Sequence, residues 1–298
     1  MDSKERRQDR RYTSAIPLHP FLFMGCWNNK SDGHFAVMEE LRKRPEKILI
    51  LGGDNAYPDP PKNWDIEYLI GEMKALPNKE KFVALGNHNL DVGILERAEL
   101  ALHHTNHRWN MPDNYYACMF ADGFAIIVLD TNCFNYYANE ILTKPPYSLD
   151  PKRLQFTEDM LSWLHETVKM LQRSSTPYYL IQHDPIVSHK ADKKKKTIVR
   201  CLKQGERILD QLIEHPPLRI LCADTHNYQE GDILYKDVLF HQIVSGTGGG
   251  EPDKLDLSKD LQEIQCSKYL YQRTKYVPGY GFVRMDLDSE FQKVRNWK

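Results

Sequence analysis

Side chains that can bind metal ions or transfer protons recur in this sequence where apolar segments of strand length end. They are Asp54 after ILILGG, Asn87 and His88 after FVALG, His183 after YYLIQ, and Asp224 and His226 after RILCA. An aspartate or histidine in such a place is commonly a turn former, a helix cap or a hydrogen-bonded loop residue. Four segments with the same arrangement are harder to explain by turn chemistry. Because parallel strands bring their carboxyl ends to one edge of a sheet, we predict that these side chains converge.

The chemistry of this set suits two divalent metal ions. Carboxylate, amide and imidazole donors fit Mn, Fe or Zn, and one aspartate can bridge two ions about 3.5–4 Å apart. Such a pair lowers the pKa of bound water, supplies hydroxide for in-line attack on phosphorus and neutralises charge in the transition state. The set therefore predicts a small phosphorylated substrate, and a phosphate ester in particular.

The segments that must position these side chains alternate between strand and helix patterns. In order they are FLFMG, HFAVMEELRKR, KILILGGD, WDIEYLIGEMKAL and KFVALGN, an alternation that predicts βαβ units and parallel strands. Asp122-Gly123 joins two apolar runs, which predicts a hairpin and hence a mixed sheet. Apolar residues at helical spacing predict a long helix over residues 151–173, and GERILDQLIEH has a helix-like pattern. Two packed sheets with outer helices accommodate these elements.

Composition and charge narrow the class of protein. The chain has 298 residues, 41% of them hydrophobic, and we expect one domain over residues 17–298 after a flexible, polar N-terminal arm over residues 1–16. The formal net charge is -1, so no overall field attracts nucleic acid or an anionic membrane. No apolar stretch approaches the roughly 20 residues that span a bilayer, and no signal-peptide pattern opens the sequence. We expect a cytoplasmic protein without membrane contact.

The cysteines give a second indication of the compartment. Six of them are scattered along the chain without a CxxC pair, and several lie in apolar, strand-like runs. They are Cys26, Cys118, Cys133, Cys201, Cys222 and Cys266. This usage predicts reduced thiols rather than a disulfide framework.

Five motifs resemble those of a known family. They are GGDNAY at 52–57, GNHN at 86–89, QHDPIVSH at 182–189, DTHNYQ at 224–229 and VSGTGGG at 244–250. Their order and spacing are similar to those of calcineurin-like metallophosphoesterases, and most of all to the purple acid phosphatase branch, from about Pro20 to Gly250. The resemblance implies a four-layer α/β/β/α sandwich of two mixed sheets and a metal-dependent phosphoric ester hydrolase.

The resemblance also implies a role for each motif residue. Asp54 would bridge two ions, Asn87 and His183 would bind one of them, and His226 the other. His88 would be the catalytic residue, stabilising the transition state or protonating the leaving oxygen. A further residue, Tyr57, stands where that branch has a tyrosinate ligand to ferric iron, although core packing explains a tyrosine there equally well.

Two positions depart from the family pattern. Cys26 stands where the first motif has a metal-binding aspartate; a thiolate can bind Zn or Fe, but a free cysteine at a strand end is more often a small buried residue. Nearby Asp32-Gly33-His34 and Asn28 offer other donors, although a helix cap suits Asp32 better. Asp224 replaces the first histidine of the GHxH motif, and a carboxylate there would favour Mn, Mg or Fe over Zn.

These motifs predict an enzyme that hydrolyses a phosphomonoester or phosphodiester with metal-activated hydroxide. One rival is a metal-poor interaction scaffold that lost the first aspartate. A second is a nucleotide or nucleic-acid phosphodiesterase using the basic run at 190–196, which lacks the interleaved aromatics and broad basic face that strand binding requires, so nucleic acid is possible but not favoured. Residues 132–151 and 251–278 are candidates to line the substrate pocket.

Overall fold

A computed structural model gives the arrangement of most of the chain. It describes residues 10–55, 57, 76–88, 103, 108–134, 151–191, 197–256, 263–266, 268–286 and 288–294. The helix expected over residues 64–76 lies almost wholly outside this set, and so do residues 192–196 of the basic run. Most of the candidate pocket segment 132–151 is outside it too.

One sheet has six strands and carries Cys26 and the GGDNAY and GNHN motifs. In chain order its strands are β2 (Phe21–Met24), β3 (Ile48–Leu51), β4 (Glu80–Val83), β5 (Trp109–Asn110), β16 (Gly281–Met285) and β17 (Ser289–Lys293). Their order across the sheet is β17-β16-β2-β3-β4-β5, in which β2 to β5 are parallel and β16 and β17 antiparallel. Met24, Leu51 and Val83 are in register, so β2, β3 and β4 end at the same edge.

The second sheet has nine strands in the order β1-β6-β7-β8-β11-β13-β12-β15-β14. Its strands are β1 (Arg11–Ser14), β6 (Tyr116–Phe120), β7 (Ala125–Val128), β8 (Tyr178–Ile181), β11 (Arg219–Cys222), β12 (Tyr228–Tyr235), β13 (Val238–Ser245), β14 (Glu263–Cys266) and β15 (Tyr269–Val277). The central strands β7, β8, β11 and β13 are parallel. A separate antiparallel hairpin consists of β9 (Val187–Ala191) and β10 (Thr197–Cys201). We call it the β9–β10 hairpin.

Three described helices cover the outer faces of the sheets. They are α1 (Asp32–Lys43), α2 (Pro151–Arg173) and α3 (Glu206–Leu212). One buried apolar cluster joins the two sheets and α1, through residues such as Leu41, Phe23 and Ile126. A second cluster joins the nine-stranded sheet to α2 and α3, for example through Leu164 and Leu209. The expected four-layer sandwich of two mixed sheets is therefore confirmed.

Several local expectations are also confirmed. The Asp122-Gly123 turn joins the antiparallel strands β6 and β7. Gly123 has a φ of +82° in this turn, a conformation that suits a residue without Cβ. The helices expected at 151–173 and in GERILDQLIEH are α2 and α3. Within the described part of the chain, no helix is both long and apolar enough to cross a membrane.

Two segments differ from the sequence-based expectation. Inside the expected arm, β1 pairs in parallel with β6, so residues 11–14 form an edge strand; the sequence RYTS has too few apolar residues to reveal it. The expectation of reduced thiols is wrong for Cys201 and Cys266, which form a disulfide across a sequence separation of 65 residues. Cys26, Cys118, Cys133 and Cys222 are free and buried. Contacts between distant segments bring the paired cysteines together, and nothing local in the sequence indicates them.

Candidate metal centre

The candidate site lies where strand ends of the two sheets face each other. Backbone hydrogen bonds continue beyond the strands, from Gly52 N to Met24 O at 2.8 Å and from Ala84 N to Leu51 O at 2.8 Å. Gly25 N donates across to Ser245 O of the other sheet at 2.9 Å. A Cβ on Gly25 would lie 2.3 Å from the Cβ of Ala223, so glycine is needed for this approach of the sheets.

Three of the predicted residues adopt the same unusual backbone conformation directly after their strands. Cys26, Asp54 and Asp224 have φ values of +53°, +52° and +50°. This left-handed region is tolerated better by aspartate than by most residues, and less well by cysteine. Non-glycine residues held there cost about 1–3 kcal/mol and are concentrated at functional sites. The shared turn points to one site built from all three strand ends.

Three buried side chains, each following a different strand, form the centre of a compact donor group. Ligand atoms of Cys26, Asp54 and His183 all lie within 4.8 Å of one another. Asp54 Oδ2 lies 3.4 Å from His183 Nε2 and 3.9 Å from Cys26 Sγ. Asn87 Oδ1 lies 3.2 Å from the same His183 Nε2. We call Cys26, Asp54, Asn87 and His183 the donor group.

Backbone close to the donor group leaves no room for larger residues. A Cβ on Gly86 would lie 2.2 Å from Asp54 Oδ1, and one on Gly53 would lie 2.5 Å from His183 Nδ1. Gly53 also has a φ of +96°, which favours glycine. The GGD and GNH motifs therefore need their glycines because backbone packs directly against the donor side chains.

The orientation of His183 leaves Nε2 facing the other donors. Its Nδ1 lies 2.8 Å from the carbonyl oxygen of Gly52, which can only accept, so Nδ1 carries a hydrogen. Burial lowers the pKa of His183, but the charge and hydrogen bond of Asp54 outweigh burial and raise the pKa to about 10. Burial in turn raises the pKa of Asp54, but His183 and His88 bring it below its usual value. Without an ion, Asp54 and His183 form a buried ion pair.

His88 is the more exposed member of this region, with 32% of its side chain accessible. Its backbone N–H donates to Asp54 Oδ1 at 3.0 Å, and its Nε2 lies 4.0 Å from Asp54 Oδ2. The ring of Tyr57 packs beside it, with ring centroids 4.8 Å apart. His88 thus lies at the partly exposed edge of the donor group.

Tyr57 contacts His226 and also lies beside Cys26 of the donor group. The Tyr57 hydroxyl lies 3.1 Å from His226 Nε2. The backbone N–H of His226 donates to Asp253 Oδ2 at 3.0 Å, and the ring Nδ1 of His226 lies 3.1 Å from the carbonyl oxygen of Glu251. Burial and then Lys190 lower the pKa of His226, whereas burial raises that of Tyr57 well above its usual value. The predicted segment 251–278 therefore does contribute contacts at the site.

Asp224 contacts cations of the β9–β10 hairpin. Arg200 Nη1 lies 2.5 Å from Asp224 Oδ2, and Lys190 Nζ lies 3.9 Å from Asp224 Oδ1. Burial raises the pKa of Asp224, but Lys190 and Arg200 hold it well below the usual range. Sequence reasoning named Lys190 only as part of the basic run at 190–196 and missed Arg200, which stands 24 residues before its partner with no motif around it.

Two of the alternative donors near the first motif, Asp32 and His34, have structural roles in or beside α1. Ser31 is the N-cap of α1 and accepts from His34 N, while Asp32 lies in the first helical turn. His34 is buried, with its Nδ1 2.5 Å from the carbonyl oxygen of Trp27. Asn28 is buried as well, and among the described residues its Oδ1 has no hydrogen-bond partner. Cys26 is the residue of this segment whose ligand atom lies with those of Asp54 and His183.

The donor group has the chemistry to hold a divalent transition-metal ion. It combines one carboxylate, one imidazole, one amide oxygen and one thiol, a set that suits Fe or Zn. The same set without the thiol suits Mn. Burial, and then the charge of Asp54, raise the pKa of the Cys26 thiol, so it would bind only where an ion displaces its proton. Asp54, Asn87, His183 and Cys26 thus fit one ion.

Solved structures with the same fold include a protein anchor and two phosphatases. GAP50, the anchor in the inner membrane complex of Plasmodium, matches with a TM-score of 0.62 and 14% identity over 93% of this chain and 84% of that chain. Purple acid phosphatase PPD1 from yellow lupin seeds matches with a TM-score of 0.60 and 13% identity over 92% of this chain and 51% of that chain. A dimetal phosphatase from Danio rerio matches with a TM-score of 0.53 and 13% identity over 94% of this chain and 100% of that chain.

These similarities show the fold alone, because all three identities are low. This chain also spans only about half of the lupin enzyme. Among curated proteins, none matches the sequence. The sequence model of one family, described as calcineurin-like phosphoesterase, matches residues 19–228, which contain every residue of the donor group. The chain therefore belongs to the calcineurin-like phosphoesterase family.

Proposed function

We propose that this protein hydrolyses a phosphate ester with a divalent metal ion held by the donor group. Asp54, His183, Asn87 and Cys26 would be its ligands. A bound divalent ion supplies Lewis acidity and lowers the pKa of a water molecule on it. The observation that carries the proposal is the convergence of donors from four different strand ends. The buried Cys26, Asp54 and His183 have ligand atoms within 4.8 Å of one another, and the partly buried Asn87 has its Oδ1 3.2 Å from His183 Nε2.

The surrounding residues have separate tasks in this proposal. The Gly52 carbonyl holds His183 so that Nε2 faces the other donors, where it would bind the ion. Asp54 is fixed by the N–H of His88 and keeps its other oxygen for the ion. The partly exposed His88 imidazole is placed to hydrogen-bond a phosphoryl oxygen or to protonate the leaving oxygen. Tyr57 and His226 line the neighbouring side of the site.

The test combines metal analysis with hydrolysis of two model esters. Metal content is measured for wild type, Asp54→Asn and Asp122→Asn, and p-nitrophenyl phosphate and bis(p-nitrophenyl) phosphate are assayed with added Mn. Asp122 is the matched control because its carboxylate accepts from His19, at the β6–β7 turn. We expect Asp54→Asn to lose metal and at least about 100-fold in activity, and Asp122→Asn to keep both.

A non-catalytic scaffold is the second candidate, and two observations favour it. Cys26 replaces a family ligand, and Arg200 and Lys190 contact the carboxylate that replaces another. Wild type that holds metal but cleaves neither ester, or that holds no metal at all, would refute the hydrolase and support the scaffold. Activity that persists in Asp54→Asn would place the chemistry elsewhere or in a contaminating enzyme.

Three finer expectations belong with this proposal. The substrate is a small phosphorylated molecule, and the ester preferred in the assay gives its class. The cytoplasmic location stays a prediction, which imaging of the tagged protein in its own cells would test. Nucleic acid remains the less favoured substrate, and salt-sensitive cleavage of an oligonucleotide would reverse that ranking.

A further inference from the structure

The β9–β10 hairpin is fixed against the loop that carries Asp224. In the hairpin Arg200 is opposite Ser188 and Ile198 is opposite Lys190, so Ser188, Lys190 and Arg200 share one face. Ser188 Oγ lies 3.0 Å from Thr225 Oγ1, next to Asp224. The hairpin therefore brings Arg200 and Lys190 to Asp224 as part of one packed face.

Asp224 is paired with Arg200 rather than grouped with the other donors. Its side chain is 7% exposed, and its Oδ2 accepts from Arg200 at 2.5 Å. Among the described residues, the cluster of possible metal-binding atoms within 4.8 Å of one another contains Cys26, Asp54 and His183 but not Asp224. The family motif would place a metal ligand at residue 224, so this separation distinguishes the chain from the family pattern.

A guanidinium and a metal ion compete for the same carboxylate lone pairs. Arg200 cannot lose its proton in the physiological range, so an arriving ion cannot convert it to a neutral partner. A histidine at position 224 would be a neutral ligand that does not attract an arginine. The aspartate at this position and the arginine opposite it thus form a charge-balanced pair, beside which Lys190 Nζ lies 3.9 Å from Asp224 Oδ1.

We infer that Arg200 keeps Asp224 out of the metal coordination shell, so that the centre binds a single ion through the donor group instead of two. This inference rests on the proposed metal site but not on hydrolysis. It makes Arg200 a positioning residue that sets the metal stoichiometry. The metal content of variants therefore tests it directly, whether or not the protein is an enzyme.

The experiment compares Mn binding by titration calorimetry and by metal analysis in four variants. Arg200→Gln frees the Asp224 carboxylate, and we expect a second equivalent of Mn or about a tenfold gain in affinity. The double variant Arg200→Gln/Asp224→Asn keeps the local charge of wild type, and we expect binding within about threefold of wild type. Asp224→His gives a neutral ligand, and we expect it to gain Mn binding in the same way as Arg200→Gln. Arg207→Gln removes a guanidinium from an ion pair with Glu158 on the surface and should change nothing.

Several outcomes would overturn the inference. Two ions in wild type would do so, and so would loss of affinity in the charge-matched double variant, because Asp224 would then be a ligand that Arg200 merely orients. Absence of Mn binding in wild type and every variant would overturn it as well. If Arg200→Gln does not fold, Asp224→His alone decides the question. One ion in wild type with no ester cleavage would refute the proposed hydrolase while leaving this inference intact.

Discussion

Asp54 and Asp224 occupy equivalent positions on the two sheets but have different partners. Each follows a parallel strand, each is buried, and their φ values are +52° and +50°. Asp54 faces His183 and His88, with His183 Nε2 at 3.4 Å. Asp224 faces Arg200 at 2.5 Å and Lys190 at 3.9 Å.

The difference lies in whether the partner can give up its charge. An imidazolium loses its proton within the accessible pH range and then presents a lone pair to an ion. A guanidinium keeps its charge and has no lone pair to offer. The two aspartates therefore share a backbone conformation but differ in their ability to bind a metal ion. The side chain that faces an aspartate indicates a metal ligand better than its place after a strand does.

The largest expected effect is on stability, when each carboxylate in turn is removed from the metal-free protein. Asp224→Ala leaves Arg200, whose side chain is only 25% exposed, without its ion-pair partner, and should lower the free energy of unfolding by about 2 kcal/mol. Asp54→Ala should cost about 1 kcal/mol, because His183 can become neutral. Urea unfolding at pH 7 with a chelator measures both, and the shared positive φ makes them a matched pair. Equal losses would contradict the comparison.

The second prediction concerns the pH dependence of metal binding. The pKa of His183 without an ion is raised to about 10, so the imidazolium predominates at neutral pH and an ion must displace its proton. Raising the pH therefore favours the ion, and apparent Mn affinity should increase about tenfold per pH unit between about pH 7 and 9, or about 1.4 kcal/mol per unit.

Chelator-buffered Mn titrations at several pH values measure this slope. His183→Gln, which keeps a polar side chain but has no titrating proton, should bind weakly and show a flatter dependence. A flat profile in wild type would mean that no proton leaves His183 when the ion binds. Asp224 and Arg200 should contribute nothing to the slope, since neither changes protonation in this range.

The smallest expected effect is that of Cys26. A thiolate ligand favours Zn over Mn, so Cys26→Ser should lower Zn affinity about fivefold and leave Mn affinity nearly unchanged. With Co(II) bound, the near-ultraviolet band of a thiolate ligand should disappear in this variant. Cys133→Ser is the control, because that buried thiol contacts the Asp130 carbonyl, outside the donor group. Co(II) spectra without a thiolate band in wild type would remove Cys26 from the ligands.

Sequence patterns predicted those parts of the site that depend on local order along the chain. Asp54 and Asn87 follow neighbouring parallel strands of one sheet, so their convergence could be predicted. His183 follows β8 of the other sheet and reaches them because strand ends of the two sheets face each other, which the expectation of a single sheet edge did not include. The contact of Arg200 with Asp224 could not be predicted, because it depends on how a separate hairpin packs. The edge strand β1 and the Cys201–Cys266 disulfide were missed for the same reason, since distant partners specify both.

The C-terminal strands have a practical consequence for anyone who expresses part of this chain. The family match ends at residue 228, yet β16 pairs with β2, opposing Val283 to Phe23, and β2 leads directly to Cys26. A fragment that stops at residue 228 would leave the uncharged FLFM strand with one bare edge. Unpaired apolar edges recruit strands from other molecules, so such a fragment should aggregate rather than remain a monomeric domain.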